Sequence, residues 1–254
     1  MKLNCVIDIS HHQSDVDWAK VKASGIMGVI HKASEGSSYE DPLYDQHRKQ
    51  ANAAGLFWGA YHLADNSDAS AQAALFLRAS KPDKDTLLAI QWLDMGGGGS
   101  SAPETTETSE GEMAEGKQVE GGSPGTLTAE GVRQFVTLVH AQTNRYPGVC
   151  SGSVAKMELG DKIDPVLKNC WFWVVQYSDH PTDIPKTFDK CMLWQYTDGV
   201  NGPEPHDTPG VGACFRDAFN GEDRELEGFW TGSDAADVAV ASKVTSRDPK
   251  RSDR

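Results

Sequence analysis

Short apolar runs of β type recur along the chain with helical patterns between several of them, and this alternation restricts the fold more than any other feature. The runs are Leu3–Ile9, Met27–Lys32, Leu56–His62, Leu87–Leu93, Gly148–Cys150, Trp171–Tyr177, Met192–Tyr196 and Val211–Phe215. Helical patterns fall at Val16–Ala23, Pro42–Ala54, Ala69–Ser80, Thr128–Asn144 and Glu222–Trp230. Asp68 precedes the third as a cap, and Gly55 stops the second. Strand–helix alternation implies a largely parallel sheet, and eight strands suggest a closed one. The helices after the middle strands are short. The expectation is therefore an α/β chain folded as one irregular, TIM-like (β/α) barrel over residues 1–231.

Two stretches lie outside that pattern. Residues 95–126 hold six glutamates, one lysine and almost nothing apolar, which predicts a disordered acidic insertion. Residues 232–254 read as a disordered polar tail. With a formal net charge of −13, the chain lacks the basic footprint of a nucleic-acid binder. Its apolar run Trp171–Val175 is too short to cross a bilayer, and the first residues lack a signal peptide's apolar core. Neither nucleic acid nor membrane is expected as a partner, and a monomer is. No signal for export is visible, so the expectation is the cytoplasm by default, with release or export by an unrecognised route as the alternative. Cys5, Cys150, Cys170, Cys191 and Cys214 form neither a paired framework nor a zinc spacing, so buried free thiols are expected. His11 and His12, as neighbours on an extended chain, point apart and have no third ligand at suitable spacing. No metal and no cofactor are expected.

In barrels of this kind the working residues sit at the carboxyl ends of the strands. There the chain carries Asp8, Ser10, Lys32, Glu35, Tyr61, His62, Gln176, Tyr177, Gln195 and Tyr196. Asp8 interrupts an apolar strand end. Aromatic faces beside amides suit a sugar, which stacks its ring and hydrogen-bonds its hydroxyls.

Six motifs then follow in order: Ile7-Asp8-Ile9-Ser10-His11-His12-Gln13, His31-Lys32-Ala33-Ser34-Glu35-Gly36, Gly59-Ala60-Tyr61-His62, Gln176-Tyr177-Ser178, Leu193-Trp194-Gln195-Tyr196-Thr197 and Phe219-Asn220-Gly221. Together they resemble the glycoside hydrolase family 25 lysozymes, muramidases that cut the β-1,4 glycan of peptidoglycan. The resemblance implies peptidoglycan glycan strands as the partner. It also implies a cleft containing Asp8, with Ser10, Glu35, Tyr61, His62, Tyr177, Trp194 and Tyr196 as substrate-binding residues.

The same resemblance exposes losses. The family places Asp-x-Glu at the end of the fourth barrel strand, where two residues on one face lie roughly 7 Å apart and flank the scissile bond. Here Gln91 and Leu93 occupy those positions, and Phe215 fills a further acidic position before Phe-Asn-Gly. Gln91 keeps shape without charge, and Leu93 has no proton to give. Losing a general acid removes about two to four orders of magnitude in rate.

The leading expectation is a muramidase scaffold impaired or inactive in catalysis. One alternative is an active muramidase using Asp8 with a displaced Asp94, brought inward by a bulge, or with Asp217, which shares parity with Phe215. Another is an interaction protein acting through the acidic insertion. His62 reads either as a proton-transfer residue or as a hydrogen-bonded structural histidine. Among the tryptophans, Trp194 with Tyr196 is the favoured sugar platform, while Trp58, Trp92, Trp171 and Trp173 read mostly as core.

Overall fold

The computed structural model describes residues 3–93 and 125–232. The expected insertion, except for residues 125–126, lies outside them, as do Asp94 and the tail beyond Gly232. The elements run β1 (Leu3–Ile9), α1 (Trp18–Ala23), β2 (Gly28–Glu35), β3 (Tyr39–Glu40), α2 (Tyr44–Ala53), β4 (Phe57–Leu63) and α3 (Ala69–Ser80). They continue with β5 (Leu87–Gln91), α4 (Ala129–Thr143), β6 (Gly148–Ser151), α5 (Ser153–Leu159), β7 (Phe172–Val175) and β8 (Cys191–Thr197). The last are β9 (Asp207–Thr208), β10 (Gly212–Ala213), β11 (Phe215–Phe219) and α6 (Asp223–Thr231).

Eight strands close a barrel in the order β1, β2, β4, β5, β6, β7, β8, β11, and β11 returns to β1. Its β1–β2, β2–β4, β4–β5, β5–β6, β6–β7 and β7–β8 pairs are parallel. The last strand corrects the expectation twice. The eighth barrel strand is Phe215–Phe219 rather than Val211–Phe215, and it runs antiparallel to both neighbours. Two parallel strands need a long crossover, usually a helix. Here a loop carrying the small β9–β10 hairpin joins β8 to β11, so the chain reverses instead. The amino end of β11 therefore lies at the mouth formed by the carboxyl ends of the other strands.

Side-chain alternation sorts the core into two layers. Val6, Ile30, Tyr61, Leu87, Ala89, Cys150, Trp173, Leu193 and Phe219 cluster inside the barrel. Ile7, Val29, Trp58, Leu88, Ile90, Val149, Phe172 and Val174 face outward and meet the buried faces of the helices, such as Val132, Phe135, Val136 and Val139 of α4. α6 closes the amino end. Fully buried Trp230 donates its indole N–H to the Trp58 carbonyl at 2.8 Å. A Cβ on Gly28 would lie 2.5 Å from that ring, so only glycine fits beneath it. All five cysteines are buried thiols.

α3 illustrates how sequence punctuation becomes structure. The Asp68 carboxylate accepts from the Ala71 amide at 2.8 Å, satisfying one of the donors left open in the first turn. Asp68→Ala is expected to cost about 1 kcal/mol, read as a lower urea midpoint with an unchanged slope.

Candidate functional site

Strand parity decides which residues reach the barrel interior. On β1, Asp8 shares the inward face with Val6, and its carboxyl has no solvent exposure. Its Oδ2 accepts from Gln195 Nε2 at 2.8 Å, and Gln195 Oε1 in turn accepts from the Tyr177 hydroxyl at 2.9 Å. This relay links the half-buried Tyr177 at the mouth to the buried acid. On β11, Asp217 faces inward, and its Oδ1 accepts from Trp173 Nε1 at 2.6 Å.

Asp8 and Asp217 are diagonal neighbours on adjacent strands, Asp8 opposite Phe215 and Asp217 opposite Val6. Asp8 Oδ1 and Asp217 Oδ2 are buried with no hydrogen-bond partner among the described residues. Two buried carboxyls so placed disfavour each other's ionisation. Burial, partly offset by the Gln195 hydrogen bond, pushes Asp8 up to about 7. Burial and then the Asp8 charge hold Asp217 well above the ordinary carboxylate range. The Cys150 thiol is raised well above its usual value by burial and by the two aspartates.

The replaced positions also fall on this face. Gln91 is buried at the end of β5, in register with Cys150 of β6, and Leu93 is half-buried two residues further along. Phe215 pairs with Asp8 across β1 and β11, and Asp217 lies one inward step deeper, opposite Val6. Ser10 is buried beyond the end of β1, where its hydroxyl accepts from the His12 amide at 3.4 Å. Tyr61 is inward and buried, edge-on to Trp173 with ring centres 6.4 Å apart. Glu35 is partly exposed and accepts from Lys32 Nζ at 2.9 Å, which places a cation and an anion together at the end of β2.

Three expected cleft residues lie elsewhere. His62 faces outward from β4, fully buried, with Nδ1 2.8 Å from Ser34 Oγ and Nε2 2.9 Å from Gln72 Oε1, and its ring stacks on Phe135. Burial holds it neutral, with its pKa lowered to about 4. It is the structural histidine of the two readings. Trp194 and Tyr196 alternate with the inward Leu193 and Gln195, so both belong to the outer core. Trp194 donates to the Gln176 carbonyl at 2.7 Å, and the Tyr196 hydroxyl accepts from Arg216 Nε at 2.9 Å. Neither presents a platform to the mouth. Conversely, Trp173 holds Asp217 through its indole N–H, a role its reading as core missed. The inward parity of β7 was the available signal.

The glycosyl hydrolases family 25 profile matches residues 7–204. The chain belongs to family 25. Beyond the matched residues lies Asp217. Lysozyme M1 of Streptomyces globisporus is 39% identical over 72 residues, 28% of this chain and 24% of that protein. The autolytic lysozyme of Clostridium acetobutylicum is 40% identical over 70 residues, 28% of this chain and 22% of its own. The chain thus spans about a quarter of the length of either lysozyme in these alignments. The fold is similar to a Streptomyces coelicolor lysozyme, with a TM-score of 0.70 at 23% identity over 90% of this chain and 97% of that one. It is also similar to a family 25 lysozyme of Aspergillus fumigatus, with a TM-score of 0.67 at 24% identity over 89% and 98%.

Among the described residues, no group of three His, Cys, Asp or Glu side chains is arranged to hold a metal.

Proposed function

We propose that this chain is a lysozyme-like protein directed at the β-1,4 glycan of peptidoglycan, which it holds at the carboxyl-end mouth of the barrel and hydrolyses poorly or not at all. The observation that carries this reading is the burial of Asp8 and Asp217, neither of which has any solvent exposure. Glycosidase carboxyls flank the bond they cut and must reach its oxygen. Two carboxyls closed off inside the barrel present no oxygen to a glycan held at the mouth. Nearer the mouth, Gln91 and Leu93 offer no acid. Glu35, which does reach it, is paired with Lys32.

The mouth still carries groups suited to a sugar. Tyr177, Gln195 and the Lys32–Glu35 pair supply donors and acceptors beside aromatic surface. Cosedimentation with purified peptidoglycan tests this. The chain is expected to pellet with the sacculi and to be displaced by soluble muramyl glycan. Tyr177→Ala should weaken binding by about three- to tenfold, the worth of an aromatic contact. Failure to pellet contradicts the reading.

One observation favours a second reading, an active muramidase using Asp8 with Asp217. A carboxyl held protonated at neutral pH by burial is what a general acid requires. Under that reading Asp217→Asn abolishes the release of reducing ends. Under the first it changes nothing on the glycan.

A further inference from the structure

A second feature lies at the opposite end of the barrel from Asp8. A cavity of about 510 Å³ opens at the amino ends of β5, β6 and β7, a size ordinary for a small-molecule site. Leu87 and Leu88 form its apolar floor, and Tyr146 and Trp171 supply two aromatic walls.

Both rings are braced. Tyr146 stacks on His140 with centres 4.0 Å apart and planes 17° from parallel. Trp171 packs edge-on to Phe229 at 5.2 Å and lies over Gly148, where a Cβ would approach the indole to 2.2 Å. Glycine at 148 is thus what lets the indole lie across the start of β6. Both aromatic residues are only half-buried, so part of each faces the opening.

The polar lining mixes donors with the acceptors of Asp83 and Gln142, and the carboxylate of Asp85 acts on Arg145. Among the described residues, the Tyr146 hydroxyl, the Trp171 indole N–H and the Lys84 ammonium have no hydrogen-bond or ion-pair partner within the chain. Arg145 adds a second cation, anchored to the carbonyls of Lys84 at 3.0 Å and Trp230 at 2.8 Å. The lining carboxylate, Asp83, is paired with Arg48 at 2.7 Å. In a chain of net charge −13 this cavity gathers free donors, two cations and two fixed aromatic faces.

We infer that this cavity is a second saccharide site, separate from the mouth, which takes a sugar bearing a carboxylate. The apolar face of a pyranose ring matches the aromatic walls, its hydroxyls and acetamide match the open donors, and the carboxylate matches Lys84 and Arg145. The choice of N-acetylmuramic acid, whose lactyl group carries that carboxylate, rests on the peptidoglycan reading above; the cavity and its chemistry do not.

Titration of the full chain with the disaccharide N-acetylglucosaminyl-N-acetylmuramic acid, followed by NMR of the indole N–H signals, tests the inference. The expected result is a saturable shift of the Trp171 signal, with weaker binding of uncharged diacetylchitobiose. Lys84→Gln, at an exposed side chain with no partner to lose, should weaken binding about three- to fivefold, the scale of an exposed ion pair. Tyr146→Ala should weaken it about fivefold or more. A Trp171 signal that stays still overturns the inference, as does equal affinity for both disaccharides or an unchanged Lys84→Gln. The Trp194 indole, which donates to the Gln176 carbonyl beside Tyr177, reports on the mouth. Movement of Trp194 alone sinks the second site and leaves the cleft reading intact, and movement of Trp171 alone does the reverse.

Discussion

Asp217→Asn is expected to stabilise the fold at pH 8 by about 2 kcal/mol or more while leaving it nearly unchanged at pH 4. Asp8 and Asp217 hold their protons in the folded barrel at pH values where the unfolded chain has released them. The folded state then binds more protons, so stability contributed by the pair is full below about pH 4 and falls as the pH rises toward and past 7. For Asp8 alone, moving from 3.8 to about 7 corresponds to on the order of 4 kcal/mol. Asparagine removes one of the two charges. Its Oδ1 can keep accepting from Trp173. His31 and His62 act in the opposite sense. Burial lowers both to about 4, so their contribution is full above pH 6.5 and is lost as the pH falls. Both histidines are present in parent and variant and cancel in the difference. Denaturant unfolding of the two proteins from pH 4 to 9 reads it. A gap that opens with pH is expected, and a constant gap contradicts the raised carboxyls of Asp8 and Asp217.

The double change Gln91→Asp and Leu93→Glu is expected to raise release of reducing ends from peptidoglycan by about 10²- to 10⁴-fold over the parent. Both positions lie on the inward face of β5 or its continuation, Gln91 buried and Leu93 half-buried nearer the mouth. A glutamate at 93 is exposed enough to reach a glycosidic oxygen, which Asp8 and Asp217 are not. An aspartate at 91 supplies the charge that supports an oxocarbenium-like centre, or the substrate's own acetamide, as the bond breaks. A third acid near the Asp8–Asp217 pair raises electrostatic strain, so the variant should be less stable than the parent above pH 6. Phe215 faces Asp8 in register, and Phe215→Asp is the change to add next. A double variant that pellets with peptidoglycan yet releases nothing would remove the missing carboxylates as the explanation of impaired catalysis.

The barrel was legible because strands and helices alternate in composition, and seven of its eight strands fall on apolar runs visible in the sequence. The last was misplaced for a physical reason. Val211–Phe215 and Phe215–Phe219 are both plausible β segments, and only closure against β1 and β8 selects the second. That choice also fixes Asp217. Counting two residues from Phe215 gives the right parity, but its place beside Asp8 follows from the antiparallel direction of β11, which composition does not encode. Parity puts Asp8 on the face of Val6 and Gln91 on the face of Leu87 and Ala89. The same rule, applied along Leu193-Trp194-Gln195-Tyr196, would have sent Trp194 and Tyr196 outward once Gln195 was taken as inward. Motif membership outweighed it there, as it did for His62, whose Ser34 and Gln72 partners are distant in sequence or on the following helix.

The most direct measurement is release of reducing ends from purified peptidoglycan by the unaltered chain, at a concentration where cosedimentation shows it bound. The expected result is release at the no-protein background despite full binding. Release at a rate typical of a lysozyme, abolished by Asp8→Asn or Asp217→Asn, would contradict it and assign the catalysis to the buried pair.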